Sequence, residues 1–300
     1  MNYELCSEKD VIKAVKIRNP FSHKGENGCV LVIGGSENYV SAPALSALAA
    51  LRTGIDLIQV AAPEKAAYAI NSFSIDFITR KFHGDFLAEK HLRELLPFAE
   101  TFDSVLIGPG LGKHSETRKF VNKFVSKFPA EKLVIDADAL QMLEKKNIKG
   151  LLTPHHREFE ILFGEYPSKN LDERVTLVKK FAKEFNSTIL LKGRIDVVSD
   201  GHKVKVNKTG NAGMTVGGSG DVLAGICTGF KAQGADNFTS ACAGVFANCK
   251  IGDKLLPEKG YGLVSSDLIA GIPEAIFGIP IIKNAIKNRE QNSWKELKND

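Results

Sequence analysis

Between residues 28 and 199 the chain alternates short, β-branched apolar runs with longer amphipathic stretches, and this alternation limits its possible folds more than any other feature. The strand candidates are residues 29–33, 57–61, 75–80, 104–107, 133–135, 151–153 and 188–191. Most are continuous apolar runs rather than period-2 patterns, as expected of strands covered on both faces. Helix candidates lie between them at 42–52, 86–98, 116–127, 139–144 and 171–185. The order predicts an α/β fold: a mostly parallel central sheet with helices on both faces.

Beyond this region, runs at 195–199 and 203–206 flank Asp200-Gly201 and read as a β-hairpin. The chain then turns helical, at 221–233, 237–250 and 265–276. No low-complexity linker interrupts the order, so residues 1–282 read as one catalytic domain and 283–300 as a polar, lysine-rich tail. That tail is expected to be a surface helix or a frayed end whose Trp294 could dock on the body. In an open parallel sheet, ligands sit beyond the carboxyl ends of the strands. The glycine clusters fall there: Gly34-Gly35, the run Gly108-Pro109-Gly110-Leu111-Gly112, and Gly193.

Composition narrows the function classes. Hydrophobic residues at 43% and charged residues at 25% are an ordinary globular mix. A net charge of +5, spread along the chain, suits an anionic small molecule and argues against nucleic acid as a partner. No apolar run approaches the roughly 20 residues of a membrane helix, and the start of the chain lacks the apolar region of a signal peptide. Five cysteines without a CxxC pair suggest reduced, buried thiols. A cytoplasmic protein with no membrane partner is therefore expected.

The chemistry concentrates in Gly217-Gly218-Ser219-Gly220-Asp221, preceded by Gly210-Asn211-Ala212-Gly213 and followed by an apolar helix. Glycines let amides turn toward one point, and the first amides of a helix lack internal partners. Gly218, Ser219 and Gly220 could thus form an anion hole for a transferring phosphoryl group. A carboxylate at Asp221 would repel phosphate unless it has another task, and taking a proton from an attacking hydroxyl is the natural one. The plain alternative is an N-terminal helix cap behind a glycine turn; the density of glycines around it favours the catalytic reading.

Other motifs say less alone. In Asp136-Ala137-Asp138, one carboxylate is expected to cap the next helix and the other to face the cleft or hold Mg²⁺ through water. The pair His155-His156 suits a single zinc ion badly, since neighbours on a helix point about 100° apart. His155 is expected to hydrogen-bond a substrate and His156 to be exposed. Lys192-Gly193 could place an ammonium or a bare amide near a nucleotide phosphate. His23 and Lys24 could be surface residues or substrate contacts.

Taken in order, these motifs resemble the ADP/ATP-dependent NAD(P)H-hydrate dehydratases, a branch of the ribokinase-like superfamily. Ser22-His23-Lys24-Gly25 with Gly34-Gly35-Ser36, the runs 108–112, 136–140 and 153–158, Leu191-Lys192-Gly193, and the run 210–225 carry the resemblance, which spans about residues 16–276. It implies a ribokinase-like fold and a repair enzyme that phosphorylates the ring hydroxyl of the S-epimer of hydrated NADH or NADPH, using ADP or ATP, and then releases phosphate. It also implies Mg²⁺, whose ligands the sequence leaves unknown, and assembly into homo-oligomers; an amino-terminal epimerase-type domain is not expected. By the resemblance, Ala42, Gly110, His155 and Asp221 contact the hydrated dinucleotide. Lys192, Gly193, Arg194, Ile195, Asp196 and Gly220 contact the nucleotide. Four departures stand out: Ser41 and Pro43 where the family has glycine and alanine, Ser219 for threonine, and His156-Arg157 for Pro-Gly. Two rival readings share the glycine-rich motif: a sugar, pyridoxal or vitamin-precursor kinase, and a nucleotide sensor without turnover.

Overall fold

The computed structural model describes residues 3–296. Ten strands make one sheet: β1 (Glu4–Leu5), β2 (Cys29–Ile33), β3 (Leu57–Pro63), β4 (Ile78–Phe82), β5 (Ser104–Ile107), β6 (Leu133–Ile135), β7 (Leu151–Leu152), β8 (Thr188–Leu191), β9 (Asp196–Ser199) and β10 (Val204–Asn207). Their order is β1-β10-β9-β8-β7-β6-β5-β2-β3-β4. Only β9 runs against its neighbours among these strands; the other pairings are parallel.

The helices are α1 (Glu8–Ala14), α2 (Ser41–Arg52), α3 (Glu64–Asn71), α4 (Leu92–Glu100), α5 (Ser115–Lys127), α6 (Ala137–Met142), α7 (His156–Phe163), α8 (Leu171–Glu184), α9 (Ser219–Ala232), α10 (Asn237–Lys259), α11 (Ser265–Phe277) and α12 (Pro280–Glu296). Alternate strand residues serve opposite cores. Leu31, Ile33, Val105 and Ile107 pack with α4 to α8, whereas Val30, Val32, Leu106 and Val134 pack with α2, α3, α9 and α10. Both sets are fully buried, which is why the strands read as unbroken apolar runs. A third cluster, including Val222, Ile226, Leu268 and Ile272, joins α1, α11 and α12 to the outer side of α9 and α10.

The chain winds from β2 to β3 and β4 in one direction, and from β5 through β8 in the other. The order therefore reverses between β2 and β5, and a crevice opens beyond their carboxyl ends. There the Gly35 amide donates to Pro109 O at 2.9 Å, tying the two glycine loops together.

Most expected strands stand within two residues of their predicted ends. The strand expected at 75–80, β4, begins at Ile78, because the Asp76 amide bonds Ser74 Oγ in a turn and Asn71 Nδ2 holds Phe77 O. The expected helix at 86–98 forms only from Leu92, after a turn in which His91 Nδ1 accepts from the Ala88 amide. α10 continues past 250 to Lys259. The predicted boundary at 282 falls inside α12, and the side chain of Trp294 lies outside the described residues. Among the described residues, no single helix is long and apolar enough to cross a membrane.

Candidate active site

The site is built on the first turn of α9. Gly218 precedes it at φ +91°, a left-handed backbone that favours glycine, and a Cβ there would press on Leu45 Cδ1 at 2.5 Å and Ser265 Oγ at 2.9 Å. Ser265 Oγ anchors the approach by donating to Gly217 O at 2.7 Å. The first helical bond runs from the Val222 amide to Gly218 O at 3.0 Å. The Gly220 and Asp221 amides have no acceptor among the described residues, while the Ser219 amide reaches Val216 O at a long 3.4 Å. Unpaired amides at a helix start favour an anion. The mount is rigid: α9 packs so closely on α2 that a Cβ on Gly225 would stand 2.2 Å from Ser46 O, and Ser46 Oγ donates to Asp221 O at 2.9 Å.

The carboxylate of Asp221, half-buried, has no hydrogen bond or ion pair among the described residues. Burial, and then the nearby Asp136, push its pKa up to about 7, with Lys192 opposing. A base titrating near neutrality is matched to proton transfer at ordinary pH.

The Lys192 ammonium donates to the buried Asp136 carboxylate at 2.9 Å and lies 3.9 Å from Glu158. Burial alone would depress its pKa, yet Asp136, Glu158 and Asp221 together hold it above its usual value. Burial drives Glu158 up to about 7. Asp136 was expected as a possible cap of α6, but its side chain makes no cap bond and serves Lys192 instead. Asp138 accepts from the Gly112 amide at 2.9 Å, fixing the glycine loop after β5.

A cleft of about 760 Å³ opens on the β8 side of this turn, and Lys192, Gly193, Arg194, Asp196 and Gly220 all line it. Both oxygens of Asp196 are already paired. One oxygen accepts from the Gly193 amide at 2.9 Å and the other from Asn207 Nδ2 at 3.0 Å, and burial holds the acid up to about 6. Ile195 packs on the core. His155 stands at the cleft as the cap of α7, its Nδ1 accepting from the Arg157 and Glu158 amides. Burial depresses its pKa. His156, expected to be exposed, is half-buried because its Nδ1 pairs with Lys192 O at 3.1 Å.

On the other side of α9, Ala42 lies in the first turn of α2, and Ser36 Oγ holds Gly110 O at 2.8 Å. Ala42 and Gly110 thus flank the crevice between β2 and β5, apart from the residues that line the cleft. Ser22-His23-Lys24-Gly25 is not with them. It precedes β2, where Asp56 accepts from the Gly25 and Asn27 amides at 3.0 Å each. That is the opposite end of a five-residue strand, about 15–20 Å away; His23 and Lys24 are exposed there. Sequence reasoning missed the α10 residues that floor the cleft, Val245, Asn248 and Cys249. Their i, i+3, i+4 spacing marks one helix face, but an apolar face reads as core.

A family model for NAD(P)H-hydrate dehydratase matches residues 30–274, which takes in every element of this site. The chain belongs to the NAD(P)H-hydrate dehydratase family. Within the family it is 44% identical over 262 residues to a bifunctional NAD(P)H-hydrate repair enzyme Nnr of Pyrobaculum aerophilum, covering 86% of this chain and 52% of that protein. The chain thus spans about half the length of such bifunctional relatives. An ADP-dependent (S)-NAD(P)H-hydrate dehydratase of Cenarchaeum symbiosum is 37% identical over 282 residues, covering 92% of this chain and 98% of that protein. The solved ADP/ATP-dependent NAD(P)H-hydrate dehydratase of Bacillus subtilis, co-crystallised with ATP and Mg²⁺, shares the fold at a TM-score of 0.78 and 24% identity, covering 92% of this chain and 98% of that one. A ribokinase-like superfamily protein of Enterococcus faecalis does so at 0.80 and 24%, covering 92% and 96%.

Proposed function

We propose that this chain dehydrates the S-epimer of hydrated NADH or NADPH, using ADP or ATP as phosphoryl donor. The observation that carries the proposal is an unpaired carboxylate, Asp221, next to unpaired amides at Gly220 and Asp221. Asp221 accepts the proton of the ring hydroxyl as that oxygen attacks the terminal phosphorus of the nucleotide. The amides of the α9 first turn hold the moving phosphoryl oxygens. Phosphate, a far better leaving group than hydroxide, then departs as a proton leaves the neighbouring ring carbon, and the double bond returns.

The nucleotide occupies the cleft along Lys192, Gly193, Arg194, Ile195 and Asp196, with Gly220 at its phosphate end. Asp196 acts through the Gly193 amide that it orients. The hydrated ring lies toward Ala42, Gly110 and His155. Mg²⁺ is part of the proposal: Asp136, Glu158 and Asp221 act on the buried ammonium of Lys192, although no group of three or more His, Cys, Asp or Glu among the described residues makes a ready metal site. Mg²⁺ keeps several waters and binds through one or two carboxylates plus phosphates. Asp136 or Asp138 would reach it through water, and it would neutralise charge on the transferring group.

Five free cysteines support a reducing, cytoplasmic setting for this reaction. The catalytic unit, expected to end at residue 282, takes in α12, whose Ile282 and Ile286 join the cluster around α9 and α11, and self-association is part of the proposal. The test is optical: hydrated NADH with Mg²⁺ and either ADP or ATP regains the absorbance of NADH. Accumulation of a stable phosphorylated sugar or vitamin, with no recovery of NADH, would establish the kinase reading instead.

A further inference from the structure

α10 turns Val245, Asn248 and Cys249 toward the cleft, opposite Leu223 of α9 and Met214. Asn248 is unlike its neighbours there. It is 3% exposed, and its Oδ1 has no hydrogen-bond partner among the described residues. A buried amide is normally paired, because an unpaired one costs stability without return. Here it lines a space already bordered at one end by the unpaired amide of Gly220.

We propose that Asn248 reads the base of the donor nucleotide. The assignment rests on the cleft being the nucleotide side of the proposed dehydratase. Leu223, Val245 and Met214 offer the apolar walls that a flat heterocycle needs, and one amide among them supplies orientation. An amide edge presents an acceptor beside a donor. Adenine presents the complementary pair, an exocyclic 6-amino donor beside a ring-nitrogen acceptor, and asparagine pairs with it in two bonds. Asn248 Oδ1 accepts from the 6-amino group and Nδ2 donates to the ring nitrogen. Oδ1 is the buried atom left without a partner, and the 6-amino group supplies the donor that it lacks.

Calorimetry with Mg²⁺ compares ADP with purine riboside 5′-diphosphate, which differs only by lacking the 6-amino group. The wild-type chain binds ADP about 10- to 100-fold more tightly, the cost of leaving the buried Asn248 Oδ1 without a donor. In Asn248→Leu that preference disappears, with ADP affinity falling to the level of the analogue. Leucine is close in size and removes no internal hydrogen bond, so the thermal midpoint is retained or raised, which reports a folded variant. Equal affinities in the wild-type chain, or an undiminished preference in Asn248→Leu, would overturn the assignment. Binding is read without turnover. If the chain binds ADP with this preference yet fails to restore NADH, the dehydratase reading fails and the role of Asn248 stands.

Discussion

The ammonium of Lys192 lies 3.3 Å from the point where a Cβ would stand on Gly220, although its hydrogen bond goes to Asp136. A single buried cation thereby sits beneath the α9 turn and offsets carboxylates on three sides. Removing it leaves Asp136 buried without a counter-charge. Lys192→Met is expected to lose about 3–5 kcal/mol of stability. A denaturant titration checks this.

The rate should follow the ionisation of Asp221. The acid accepts a proton only when charged, and burial with Asp136 holds it up to about 7. Below that value kcat/KM is expected to fall about tenfold per pH unit, and above it to level off. Asp136 is one of the charges raising Asp221. Asp136→Asn is therefore expected to move the acid limb to lower pH, which a pH–rate profile records.

The same shift sets a stability cost. The folded chain holds the proton of Asp221 to about 7, against an ordinary value of 3.8. Its stabilising contribution is thus complete below pH 4 and declines as pH rises toward 7. Asp221→Asn removes that ionisation and is expected to gain on the order of 2 kcal/mol at pH 8. The gain should vanish below pH 4, as thermal unfolding across pH will show.

Packing of α9 on α2 supports the site from behind. A Cβ on Gly225 would stand 2.2 Å from Ser46 O and 2.8 Å from Ala49 Cβ, contacts with backbone and a short side chain that cannot swing away. Gly225→Ala is expected to cost about 1–3 kcal/mol. It should also lower activity, because Ser46 Oγ bonds the Asp221 carbonyl. A melting curve together with the kcat of the folded fraction separates the two effects.

The strands were legible because Val, Leu and Ile at consecutive positions serve two cores, as at Val30 through Ile33. The start of α9 was legible because Gly217, Gly218 and Gly220 crowd ahead of an apolar run. What escaped depends on neighbours far along the chain. Lys192 meets Asp136 across 56 residues, and His156 is covered through Lys192 O, 36 residues away. Asn248 sits in an apolar face of α10 whose exposure to a cleft only the folded chain creates. The two-residue β1 was invisible because Glu4 and Leu5 form a strand only by pairing with β10.

The central claim is that Asp221 takes the hydroxyl proton while the amides beside it hold the phosphoryl group. Turnover of hydrated NADH by Asp221→Asn, measured with saturating nucleotide and Mg²⁺ alongside nucleotide affinity, addresses it most directly. The expected result is a loss of about 10²-fold or more in rate, with nucleotide binding within a few-fold of the parent chain. A near-parental rate in that variant would contradict the account.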